Sequence, residues 1–334
     1  MGARSAFSAD SQTMLDRTPS GTRDVLPDEM RELRALMDRI RAVFESAGYG
    51  EVSTPALEYE RTFARESARV SSPYRLFDEH GNVLVLRSDM TVPIARMVGS
   101  RYPSAPTPLR FSYFAHSYRG VRPQRGQSRE ILQAGVELIG APGPEGTVEA
   151  LTVLCDALDA AGLENFRVGV GDVTLYPALL ESLGVERDSR ELILAELATG
   201  DFVGVEHELS RLPLDEEDAQ LLLRVPRIRG GADVLQGLNG PLQQAGAGMR
   251  TLLNLLEPRT AERIIFDFGL MPSLGYYTGA VFQIYDPAYG MPIGGGGRYD
   301  DLLGDFGRPL PAAGFGLDVE RLHIALRAEE RGRV

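Results

Sequence analysis

After the turn in PSGTRDVLPDEM, Met30, Leu33, Met37, Ile40 and Phe44 recur at helical intervals. Pro27 suits a first turn, and Gly48 can end the helix in a left-handed cap, so a long amphipathic helix opens the domain. EVSTPALEY, GNVLVLRSDM and PLRFSYFAHSY are rich in β-branched or aromatic residues and bounded by glycine or proline, the signature of strands. Between the second and third, TVPIARMVGS reads as a short helix with Pro93 in its first turn. EILQAGVELIG carries a clear period of two. Leu132, Ala134, Val136 and Leu138 take one face; Gln133, Gly135 and Glu137 take the other. A core strand shows such a polar second face where that face meets water or a ligand, so this strand reads as a pocket floor.

A helix is predicted from Thr147 to Leu163, then a strand at FRVGVGD. From about Tyr176 to Leu256 the pattern is helical and charged, with loop signals at IRGGAD and LNGP, and it reads as a helical insertion. RIIFDFG and GYYTGAVFQIY return to strands, IGGGGRYDDLL reads as a glycine-rich turn, and AAGFGLDVERLHIALRAEE as a strand running into a helix. Strands on both sides of one helical stretch predict an α+β domain around a mainly antiparallel sheet. Regular strand and helix alternation is missing, which disfavours a Rossmann or barrel reading. Residues 1–16 are small and polar without the apolar centre of a signal peptide, so they read as a flexible tail ahead of a domain over 17–330.

Composition narrows the function classes. With 334 residues, 43% of them hydrophobic, the chain can bury a sizeable core. A net charge of -12 gives no footprint for a polyanion, so no nucleic-acid partner is expected. The single cysteine, Cys155, cannot form an internal disulfide, which points to a reducing, cytoplasmic setting. No apolar run approaches the roughly 20 residues of a membrane span. His80, His116, His207 and His323 fall at no metal-ligand spacing, and neither a metal nor another cofactor is expected.

Three stretches carry candidate chemistry, each with a plainer reading beside it. GGGGRYDDLL lacks the lysine and hydroxyl of a P-loop and on its own reads as a turn. Tyr276 and Tyr277 would alternate across a strand, one ring facing the core and the other a pocket or water. Arg119, Arg122, Arg125 and Arg129 in YRGVRPQRGQSRE are either a solvated hairpin tip or a clamp for a carboxylate or phosphate, which the planar guanidinium fork suits.

The order of GTRDVLP, STPALE, LRSDMT, SYRGVRPQRGQSREILQAGVE, GYYTGAVF, GGGGRYDDL and GFGLDVERL resembles the class II histidyl-tRNA synthetase family from about residue 18 to residue 327. The resemblance implies a class II synthetase-like fold, a six- or seven-stranded antiparallel sheet flanked by helices, usually in a homodimer. It also implies a histidine pocket. Asp89 and Thr91 stand where the family holds the amino group, Arg119 matches the motif-2 arginine, Gln133 and Glu137 match the pocket-floor pair, and Tyr276 and Tyr277 match the tyrosine pair.

The departures are equally specific. Pro272 stands where the family has a catalytic arginine, Val121 where it has an acid near ATP, and Asp318 where it has a glycine beside the matching Arg321. No residues are therefore assigned as catalytic. The chain stops at Val334, where no anticodon-binding domain is expected to follow. In these respects it resembles the regulatory subunits of ATP phosphoribosyltransferase. That resemblance implies a short-form catalytic subunit as partner in a hetero-octamer, with histidine as effector in the first step of histidine biosynthesis. A truncated ligase charging a non-tRNA acceptor, and a freestanding binding module, are the alternatives.

Overall fold

The computed structural model describes residues 18–63, 73–120, 128–271 and 275–332. The predicted tail, together with Val121, Arg122, Arg125 and Pro272, lies outside them. The opening helix, α1 (Pro27–Ser46), carries Asp28 and Glu29 in its first turn, where the helix dipole favours negative charge, and buries Leu33, Leu36, Ile40 and Phe44 along one face. Just past it, Gly48 takes a φ of 83°, the left-handed conformation glycine adopts without strain. There follow β1 (Gly50–Glu51), β2 (Leu57–Tyr59), β3 (Arg75–Phe77), β4 (Val83–Leu86), α2 (Thr91–Arg101), β5 (Leu109–Tyr118), β6 (Glu130–Ile139), α3 (Glu145–Ala161) and β7 (Arg167–Asp172).

The helical stretch comprises α4 (Leu175–Ser182), α5 (Arg187–Thr199), α6 (Phe202–Leu209), α7 (Glu216–Arg224), the short strand β8 (Arg229–Gly230) and α8 (Pro241–Leu255). The chain closes through α9 (Pro258–Ala261), β9 (Ile264–Asp267), β10 (Ala280–Tyr285), β11 (Gly294–Arg298), β12 (Ala312–Asp318) and α10 (Val319–Gly332).

Nine strands form one sheet in the order β1-β5-β6-β12-β11-β10-β7-β9-β8, and β2-β4-β3 form a small second one. The main sheet is thus larger than the six or seven strands expected. It is antiparallel except where β1 joins β5 and β7 joins β9, both parallel. Its centre is the β6–β12 ladder, which pairs Gln133 with Asp318 and Glu137 with Gly314.

Two apolar clusters form. One gathers α1, α3, α10 and the helical stretch, so Tyr176, Ile193, Leu222 and Leu235 share a core with Val136, Val168 and Phe315. The Tyr176 hydroxyl donates to the Leu222 carbonyl at 2.9 Å, closing α4 onto α7. The other cluster joins α2 to the sheet through Met90, Ile94, Val98, Phe111, Tyr276 and Tyr299.

The glycine run is not a turn. Gly294, Gly295, Gly296 and Gly297 form most of β11, hydrogen-bonded to β10 on one side and β12 on the other. A Cβ on Gly296 would collide with the Gly314 carbonyl, and one on Gly297 would press on the Tyr277 ring. Glycine is needed there because neighbouring backbone and rings approach closely. The tyrosine pair also departs from expectation: β10 begins only at Ala280, so Tyr276 and Tyr277 precede it and do not alternate across its faces. Among the described residues no helix is long and apolar enough to cross a membrane.

Candidate functional site

A cavity of about 280 Å³ opens over the centre of the sheet. Asp89, Thr91, Arg119, Gln133, Tyr276 and Tyr277, six of the seven residues singled out in sequence, line it together. Local structure explains why they meet. Asp89 Oδ1 accepts the Val92 amide at 3.0 Å, fastening the start of α2, so that Thr91 faces the sheet. Arg119 follows β5; its amide donates to the Arg129 carbonyl at 2.9 Å, and its Nε lies 3.4 Å from the Ser88 carbonyl. Gln133 rises from β6, and its Oε1 is buried with no hydrogen-bond partner among the described residues. An acceptor held in that state is costly unless a ligand donor meets it.

The seventh residue, Glu137, stands behind the wall. It is 1% exposed, accepts the Thr91 hydroxyl at 2.7 Å on Oε1, and accepts the Tyr299 hydroxyl on Oε2. Burial pushes its pKa up to about 8, opposed by these two donors and reinforced by the charge of Asp89. Gly314 permits this placement, because a Cβ there would occupy the position of the Glu137 carboxylate. Glu137 is therefore a buried acid that orients two hydroxyls of the cavity wall.

Both predicted tyrosines line the cavity, Tyr276 as a buried member of the second apolar cluster and Tyr277 partly buried against it. Their ring centroids are 4.8 Å apart, and Tyr276 meets Tyr299 edge-on at 5.8 Å. Burial raises the pKa of Tyr276, Tyr277 and Tyr299, so the hydroxyls remain neutral.

At another part of the wall the chemistry is different. Arg321 Nε lies 3.0 Å from Asp318 Oδ2, its amide donates to Asp318 Oδ1 at 3.0 Å, and its Nη1 donates to the Pro292 carbonyl at 2.9 Å. The Asp318 carboxylate neutralises and holds the guanidinium of Arg321. Burial raises the Asp318 pKa and Arg321 opposes that shift.

The cavity thus presents a carboxylate at Asp89, a guanidinium at Arg119, an acceptor at Gln133 and a cluster of aromatic rings, a set suited to a zwitterionic amino acid with a polar ring. Among the described residues no group of three metal-capable side chains exists. Tyr113 and Tyr299, which also line the cavity, were not singled out in sequence. The signal for Tyr299 was present, since it follows Arg298 at the end of a strand and must face the other way.

The sequence model described as histidyl-tRNA synthetase matches residues 21–322. An ATP phosphoribosyltransferase regulatory subunit from Symbiobacterium thermophilum is 42% identical over 92% of this chain and 79% of its own length. A crystal structure from Bacillus halodurans described as an ATP phosphoribosyltransferase regulatory subunit/histidyl-tRNA synthetase superposes with a TM-score of 0.85 at 34% identity, covering 93% of this chain and 83% of that one. A histidine–tRNA ligase subunit from Alicyclobacillus acidocaldarius gives a TM-score of 0.77 at 30% identity, covering 98% of this chain and all of that one.

Proposed function

This chain belongs to the histidyl-tRNA synthetase-like family of ATP phosphoribosyltransferase regulatory subunits, and on that premise we propose that it is a non-catalytic regulator that binds free histidine in the cavity and transmits its presence to a short-form catalytic subunit. The observation that carries this reading is the uneven state of the cavity: the groups suited to an amino acid converge on it, while Arg321 is held by Asp318. A guanidinium already paired with a carboxylate has little positive charge left for a triphosphate, so histidine can bind without being activated. Arg119 receives the histidine carboxylate, Asp89 its ammonium, and Gln133 with Tyr277 meets the imidazole. Glu137 acts through Thr91 and Tyr299.

In this role the chain activates its partner in the first step of histidine biosynthesis, in the cytoplasm, and imposes feedback inhibition. The assembly is a hetero-octamer containing homodimers of this chain. Linkage requires that histidine bind the less active state more tightly, commonly by about 1 to 3 kcal/mol. Calorimetric titration of the chain with histidine, paired with histidine-dependent ATP–pyrophosphate exchange, tests the reading. It expects saturable binding without exchange, and robust exchange lost in Arg119→Ala would establish a ligase instead.

A further inference from the structure

A second cavity, of about 330 Å³, shares no lining residue with the first. The two are back to back along β11: Arg298 closes the second, and the next residue, Tyr299, lines the first. Val170 and Asp172 of β7 and Ala280 of β10 form one side, Thr147 in the first turn of α3 another, and Met249 and Leu252 of α8 the facing wall. The space is therefore a seam between the sheet and the helices of 175–255. Its volume falls within the roughly 300 to 1,000 Å³ typical of small-molecule sites.

Its polar groups are few and fixed. Arg298 is 6% exposed; its Nη2 lies 2.7 Å from Asp300 Oδ1, and its Nη1 donates to Thr147 Oγ1 at 3.3 Å. The guanidinium is thus neutralised in place, which gives an anion little advantage. Thr147 accepts from Arg298 and keeps its own hydroxyl proton for another acceptor. Asp172 Oδ1 accepts both the amide and the hydroxyl of Thr174, at 2.9 and 2.6 Å. Its second oxygen makes no hydrogen bond among the described residues, and a ligand donor can meet it. Between these ends the walls are mostly aliphatic, the Thr251 hydroxyl being spent on the Ala247 carbonyl at 3.0 Å, and the exposed Gly248 of α8 leaves room at the rim, since a Cβ there meets no heavy atom within 4 Å.

We propose that this seam binds a small, flat, uncharged heteroaromatic molecule of the aminopurine class. An exocyclic amino group donates to Asp172, a ring nitrogen accepts from Thr147, and the ring lies between the α8 side chains and Val170 with Ala280. The site does not depend on histidine or on the first cavity.

The test uses the full chain with adenine as probe and unsubstituted purine as comparison, followed by calorimetry and ligand-observed NMR. Gly248→Leu fills the seam from α8 and replaces a helix glycine by a strong helix former, so the variant retains its fold. Asp172→Asn keeps the oxygen that Thr174 uses and removes the charge. Adenine is expected to saturate the parent with a Kd below about 1 mM, to bind Asp172→Asn and purine to bind the parent about tenfold more weakly, and to show no binding to Gly248→Leu. Undetectable adenine binding, undiminished binding to Gly248→Leu, or equal affinity for adenine and purine would each overturn the proposal. Survival in Gly248→Leu would place adenine in the first cavity.

Discussion

Glu137→Gln isolates the most perturbed carboxyl group lying against the first cavity. In the folded chain Glu137 holds its proton up to about pH 8, against an ordinary value of 4.5, and burial is the largest cause. Between those limits the folded state binds one proton that the unfolded state has released, so stability falls as pH rises, by about 1.4 kcal/mol per pH unit. The contribution is fully present below 4.5 and is lost through about 8. From about pH 5.5 to 7.5 the parent should lose about 2 to 3 kcal/mol from this group alone. Glutamine cannot ionise, and its amide can still partner the hydroxyls of Thr91 and Tyr299. The variant should therefore gain about 2 to 3 kcal/mol on the parent across that interval. Urea unfolding followed by circular dichroism is the suitable assay, because the chain has no tryptophan to report by fluorescence. A difference between the two proteins that stays within about 0.5 kcal/mol at every pH would refute the reasoning.

Tyr277→Phe removes a hydroxyl proposed to meet the imidazole and should weaken histidine binding about tenfold in calorimetry, without changing assembly with the partner. Arg119→Ala should abolish measurable histidine binding while leaving the melting temperature of the free chain nearly unchanged, since its side-chain bond to the Ser88 carbonyl is long at 3.4 Å. Tyr176→Phe leaves the Leu222 carbonyl without its buried donor and should cost about 1 to 3 kcal/mol in urea unfolding.

The helical elements were legible because their burial is written as a period. Leu33, Ile40 and Phe44 mark the buried face of α1, and Pro93 sits in the first turn of α2 as its fixed φ requires. The glycine run was misread for the opposite reason: residues without side chains carry no period, and β11 is defined only by the strands on either side of it. β3 and β8 also escaped, since three and two residues are too short to show alternation. Six of the seven residues named through family resemblance line one cavity, but the position of the seventh was not legible. Nothing local places Glu137 behind Thr91; that follows from the absence of a side chain on Gly314, a strand away and 177 positions later in the chain. Likewise, the four-residue stretch DVER announces Asp318 beside Arg321, but only the helical turn of α10 shows that they pair.

The regulatory claim is tested most directly by mixing this chain with a purified short-form ATP phosphoribosyltransferase and following phosphoribosyl-ATP formation and elution volume, with and without histidine. The account predicts a single larger complex, a faster rate than the catalytic subunit reaches alone, and inhibition by histidine that Arg119→Ala relieves. Separate elution with an unchanged rate would contradict it.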